Sequence, residues 1–212
     1  MEIKLRLEEE KDYRRVEEVT REAFWNVHVP GCDEHLLIYH LRDEKEFVEA
    51  LDFVAVRGDD EIVGNIVYVE TKIIDGNNTE HKTLTFGPVS VLPEYQNNGI
   101  GGKLINHTVA LAKKIGYKAI LIYGDPEYYK RFGFKESKVY NITNADKKYP
   151  AALLVLELYP NALTGIEGVF DEGDIYEVSA EELKEFEKSF VEKEKKFAKS
   201  QERFLEMVNK YL

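Results

Sequence analysis

Apolar and charged residues alternate with period two in Ile3-Lys4-Leu5-Arg6-Leu7, the pattern of a half-solvated strand at a sheet edge. The period then lengthens. Tyr13, Val16, Val19, Ala23 and Phe24 recur at three- and four-residue steps, which predicts a helix that stops near Pro30-Gly31. Leu37 and Leu41 place a second, shorter helix over 33–42, with Asp33 as its N-cap. β-branched and aromatic runs at 53–56 and 62–69 flank Gly58-Asp59-Asp60 and predict an antiparallel hairpin. After a turn at Asp75-Gly76-Asn77-Asn78, a third long strand is expected over 82–91, with a bulge or splay at Gly87-Pro88. Helical periodicity returns over 100–115 and ends at Gly116, and Ala119-Ile120-Leu121-Ile122-Tyr123 is continuously apolar, as buried strands are. A short helix over 127–132 and a strand over 152–158 complete a mixed sheet with helices on its faces.

The segment 179–212 is highly charged and lacks Gly and Pro, so it reads as one long helix. Ser179 and Glu182 fit a capping box. Leu183, Phe186, Phe190, Phe197, Phe204, Val208 and Tyr211 trace a near-heptad stripe, which Lys193 and Ser200 interrupt. An exposed row of Phe in a monomer is an aggregation liability, so the stripe is expected to pack on its own domain or to form a homodimer.

Composition narrows the class. With 43% hydrophobic and 33% charged residues, the chain has the balance of a soluble globular protein, and its 212 residues suit one core plus an appendage. A net charge of −11 speaks against a nucleic-acid surface, and no apolar run reaches the roughly 20 residues of a membrane span. The lone Cys32 excludes an internal disulfide, and the charged start has no apolar stretch of the kind a signal peptide carries; both point to a cytoplasmic protein.

The chemistry concentrates in Val89-Ser90-Val91-Leu92-Pro93-Glu94-Tyr95-Gln96-Asn97-Asn98-Gly99-Ile100-Gly101-Gly102-Lys103-Leu104: a strand, a turn and the opening of a helix. Three glycines strip side chains from the first helical turn, so its unpaired N–H groups and the helix dipole can close on a phosphorylated ligand. A triphosphate loop is excluded because Gly102-Lys103 is followed by Leu104 and position 97 is Asn97. The dinucleotide fingerprint needs a small residue where Leu104 stands, and the antiparallel hairpins before it are wrong for that unit.

The run Gln96-Asn97-Asn98-Gly99-Ile100-Gly101 resembles the acetyl-CoA signature Q/R-x-x-G-x-G/A of the GNAT superfamily of N-acetyltransferases, and Tyr128-Tyr129-Lys130-Arg131-Phe132-Gly133-Phe134 resembles that family's second motif. Within the superfamily, the stretches from Gly124 to Phe134 and from Leu156 to Leu163 look like the YhbS-like subgroup. The resemblance covers 1–170 and implies the GNAT fold, an α/β (α+β) domain whose mixed, mostly antiparallel sheet has splayed central strands and helices on both faces. Residues 171–212 form a C-terminal helical extension outside it.

The resemblance further implies direct transfer of acetyl from acetyl-CoA to a primary amine of a small molecule or protein. Val89, Ser90 and Val91 would hold the pantetheine arm by their backbone, with the Val91 N–H polarising the thioester carbonyl. Gln96, Asn97, Asn98, Gly99, Ile100, Gly101, Gly102 and Lys103 would hold the pyrophosphate, and Asp125 and Tyr129 complete the cofactor set. Tyr129 stands at the position of the acid that protonates the departing thiolate. For the base, the candidates are Glu34 and Glu70, followed by His28, His35 and Asp125. Cys32, Asp33, Glu34, His35 and His40 are metal-ligand types without paired metal-site spacing, so no metal is expected; Phe24 and Trp25 read as core or pocket wall. The alternative function is a non-catalytic acyl-CoA sensor, which the intact turn and Tyr129 disfavour.

Overall fold

The computed structural model describes residues 2–212. The first half runs β1 (Ile3–Leu7), α1 (Tyr13–Phe24), α2 (Glu34–Leu41), β2 (Phe53–Arg57), β3 (Glu61–Ile74) and β4 (Glu80–Val91). Then come α3 (Ile100–Ile115), β5 (Ala119–Tyr123), the one-turn α4 (Pro126–Tyr129), and the short strands β6 (Lys135–Glu136) and β7 (Ile142–Thr143). The chain closes with β8 (Leu153–Glu157), β9 (Gly168–Asp171), α5 (Ala180–Glu187) and α6 (Lys199–Val208). The sheet order is β1-β2-β3-β4-β5-β8-β6, with β9 paired to both β3 and β7. Neighbours are antiparallel except β4 with β5 and β7 with β9.

Helices cover both faces, and β3 makes the alternation explicit. The Asn65 Oδ1 accepts from Thr20 of α1 (3.2 Å), whereas the Tyr68 hydroxyl pairs with Thr108 of α3 (2.8 Å); three residues apart on a strand, their side chains leave opposite faces. The expected irregularity falls at Gly87-Pro88, two β4 residues facing the single Val67 between the pairs Ile66↔Val89 and Tyr68↔Phe86.

Two expectations are corrected. Helix α1 ends at Phe24, well before Pro30, because Asn26 adopts φ +61° and its side chain accepts from the Gly31 N–H at 2.8 Å, closing a loop. Residues 179–212 are not one helix: α5 and α6 are separated by extended chain. A straight helix of that length would reach about 50 Å and leave the domain. Instead Trp25 Nε1 and Asn26 Nδ2 donate to the Glu194 carbonyl (3.0 and 3.1 Å), and Asn26 Oδ1 accepts from the Lys196 N–H (2.9 Å), holding the chain open where it crosses α1. Much of the aromatic stripe packs on the molecule itself. Phe186 and Phe190 pack on His35, Phe204 stacks on His28, and Tyr211 bridges to Pro150. Of the positions on which the homodimer expectation rested, Phe197 stands out at 92% exposed.

Candidate active site

Strand β4 touches β5 at one register pair, Leu84↔Ile120, and beyond it the β5-side edge of β4 runs unpaired to Val91. Thr85 Oγ1 closes the crotch by donating to the Leu121 carbonyl at 2.7 Å. The Leu92 N–H bonds to Val63 on the β3 side (2.9 Å), and backbone groups alternate sides along a strand, so Val91 and Val89 turn theirs into the gap. A cavity of about 1040 Å³ fills this gap and extends to the N-terminus of α3.

The wall at that end is Gln96, Asn97, Gly99, Ile100, Gly101 and Gly102. Gly99 is the N-cap at φ +76°, a conformation that suits glycine, and no side chain caps the helix. Its first N–H groups are left for a ligand. Gln96 Nε2 donates to the Val91 carbonyl (3.1 Å) and Asn98 Nδ2 to the Tyr95 and Gln96 carbonyls, fixing the turn from within. Asn98 therefore shapes the loop from outside the wall. Ser90 is fully buried, its hydroxyl donating to Thr20 at 3.0 Å, and Lys103 lies exposed on α3 beyond the cavity. The cation that does line the cavity is Arg131, its Nε bonded to the Tyr128 carbonyl (2.9 Å) and its guanidinium over the Tyr128 ring. Arg131 stands inside the Tyr128–Phe134 motif but was not among the expected site residues.

Tyr129 lines the same cavity, its ring among Phe86 (5.9 Å) and Phe134 (5.7 Å). Burial pushes its phenol above the ordinary tyrosine range, so it stays protonated and able to donate. Gly124 makes room for it: a Cβ there would lie 2.7 Å from Tyr129 Cδ2 and closer still to Cε2. Gly124→Ala should therefore push the ring out of line, lowering turnover at least tenfold and costing about 1–3 kcal/mol in stability; steady-state rates and urea midpoints check both.

The opposite half of the cavity is formed by Phe24, Val27 and His28 after α1, Asp33 and Glu34 at α2, and the C-terminal segment. Glu34 Oε1 lies 3.0 Å from His28 Nδ1, and Asp125 pairs with Arg203 of α6. Burial, then the Glu34 charge, pushes the Asp33 carboxyl up. Glu70 is not on the wall. Burial alone would raise its carboxyl, but hydrogen bonds from Lys82 and Tyr117 hold it below its usual value, which makes it a weak proton acceptor. His35 is fully buried, with Cys32 Sγ 3.5 Å from its Nδ1 and Glu187 Oε1 2.7 Å from its Nε2. His40 faces Glu182 instead. The cluster read from the sequence is thus divided between core packing and the C-terminal segment. Glu172, from a stretch that carried no motif, joins Asp33 and Glu34 on the wall.

A splayed β4–β5 pair, an uncapped glycine-rich helix start and a buried tyrosine thus meet in one cleft. Residues 49–136 match the model of the acetyltransferase (GNAT) domain. It is similar to the uncharacterized N-acetyltransferase YhbS of Escherichia coli K12, 25% identical over 138 residues, 65% of this chain and 80% of that one. The crystal structure of E. coli YhbS in complex with CoA shares the fold, with a TM-score of 0.72 at 20% identity over 82% of this chain and 91% of that one. A GNAT family acetyltransferase from Brucella melitensis in complex with acetyl-CoA superposes with a TM-score of 0.65 at 29% identity, covering 83% and 99% of the two chains.

Proposed function

We propose that the protein transfers acetyl from acetyl-CoA to the primary amine of a small cationic acceptor by direct attack. The observation that carries this is the shared cavity: the free edge of β4, the open start of α3 and Tyr129 all face it. The pantetheine arm would lie along Val89 and Val91 as a further strand. The N–H groups at the start of α3, with Arg131 beside them, would hold the pyrophosphate. The Val91 N–H is directed at the thioester carbonyl oxygen, where negative charge develops during attack. Tyr129 then protonates the departing thiolate. The half of the cavity carrying Asp33, Glu34 and Asp125 favours a positively charged amine. The free, buried Cys32 supports a cytoplasmic setting.

Titration calorimetry with acetyl-CoA tests the donor half. Wild type should bind, and Gly101→Val, which fills the space before the α3 N–H groups, should bind at least tenfold more weakly with its melting temperature held. Thiol release on a panel of amines tests the transfer. Absence of acetyl-CoA binding by the wild type would overturn this reading.

A further inference from the structure

We propose that Glu172, the first residue after β9, takes the proton from the acceptor's ammonium group, and that the acceptors it serves are aliphatic polyamines. The assignment rests on the acetyltransferase reading above. Glu172 lies on the cavity wall shared with Tyr129 and Val89, and its carboxylate has no hydrogen-bond or ion-pair partner among the described residues. Three other acidic candidates are engaged: Glu34 with His28 and the Asp33 N–H, Asp125 with Arg203 and the Glu127 N–H, Glu70 with Tyr117 and Lys82. Asp33, whose carboxylate is also unpaired among the described residues, is exposed at the start of α2, whereas Glu172 is partly buried. Beside it, the Tyr176 hydroxyl is buried, lies on the same wall and has no partner. A buried hydroxyl without a partner is costly unless something else satisfies it, and an amine nitrogen in the cleft is such a group. Phe204, Met207 and Val208 of α6 complete the wall with apolar surface suited to a methylene chain.

The groups that set the electrostatics are few. Asp171, its neighbour in sequence, pairs with Lys72 at 3.6 Å. Burial, with the Glu172 charge adding to it, pushes the phenols of Tyr123 of β5 and of Tyr176 up and keeps them neutral. Across the cavity stand Asp125 with Arg203, His28 with Glu34, and Asp33. Burial, with the Asp171 charge adding to it, pushes the Glu172 carboxyl up to about 7, which is where a base for a neutral-pH reaction works best.

The ammonium gives one proton to the Glu172 carboxylate, and the freed lone pair forms the C–N bond at the thioester carbonyl carbon. Collapse of the adduct breaks the C–S bond, the electron pair stays on sulfur, and Tyr129 protonates it. The remaining excess proton on nitrogen returns to the Tyr129 phenolate, and the proton on Glu172 leaves to solvent.

The test is thiol release from acetyl-CoA with cadaverine and spermidine, followed from pH 5.5 to 9. Wild type should acetylate at least one of them, with an acid limb near the Glu172 value. Glu172→Gln should lose about a hundredfold or more in kcat and lose that limb, while acetyl-CoA affinity stays within twofold, a combination that a merely structural role would not give. A kcat within threefold of wild type, or an unchanged acid limb, overturns the assignment. Failure of both amines while acetyl-CoA still binds overturns the acceptor class; failure of acetyl-CoA to bind overturns the reading beneath it as well. A readout independent of any acceptor is the ¹³C carboxyl titration of the acetyl-CoA complex. A Glu172 midpoint between about 6 and 8 is expected, and one near the ordinary glutamate value of about 4.3 refutes the proposal.

Discussion

Tyr129→Phe should lower kcat for thiol release by about a hundredfold or more at pH 7, the usual worth of a well-placed general acid, while leaving acetyl-CoA affinity within twofold. The ring is held by packing against Phe86 and Phe134 and by the space left at Gly124, so removing the hydroxyl takes away the proton and little else. Because burial holds the phenol above its ordinary range, the wild-type rate should not fall as pH rises toward 9 through loss of this proton. A threefold or smaller drop in kcat for the variant would mean that solvent protonates the thiolate and that the tyrosine only lines the cavity.

Glu187→Gln should release the C-terminal segment. Arg21 is 3% exposed and grips Glu187 through two hydrogen bonds, Nε to Oε1 at 2.9 Å and Nη2 to Oε2 at 2.7 Å. Leaving a buried guanidinium without its charged partner costs about 3 kcal/mol. The other cross-links to α1 are more exposed: Lys193 with Glu22 contributes at most about 1 kcal/mol, and Arg14, which donates to Ser189 Oγ at 3.0 Å and lies over the Phe190 ring, is itself exposed to solvent. The first pair therefore dominates, and hydrogen exchange across α5 should accelerate about a hundredfold in the variant; a change below threefold would show that Phe186 and Phe190 hold the segment by themselves. The same contact is acid-sensitive. Burial lowers the His35 pKa to about 4, so an undocked His35 binds more protons than a docked one, and docking weakens as pH falls from the free value of about 6.5 toward 4. Burial pushes the Glu187 carboxyl up, but Arg21 outweighs it and holds it below its usual value; its contribution, present above the ordinary carboxylate range, is lost further down in pH.

The sheet and the glycine-rich end of the candidate site were legible because each depends on local rules. The period-two start, the continuously apolar β5 and the glycines of the α3 turn specify their conformations within a few residues. The α1 boundary was missed because Asn26, not Pro30, turns the chain. The break between α5 and α6 was invisible because residues 191–198 are good helix formers; Trp25 and Asn26, more than 160 residues away, unwind them. Likewise Glu172 carries no local signal. What distinguishes it is the cavity it faces, assembled from α1, β5, α4 and α6, and no spacing along the chain records that convergence. Glu70, read from its place on β3, lies off the cavity wall, where Tyr117 and Lys82 hold its carboxylate.

The single Leu84↔Ile120 pairing divides the sheet into two panels, β1 to β4 and β5 with β8 and β6, joined along a seam that opens toward the ligand. An extended pantetheine lying in that seam would be shared by both panels, so the donor would act as mortar as well as reagent. Calorimetric melting should then register acetyl-CoA as a stabiliser out of proportion to its size, and desulfo or shortened analogues that keep the extended arm should retain most of that effect although they can deliver no acetyl group.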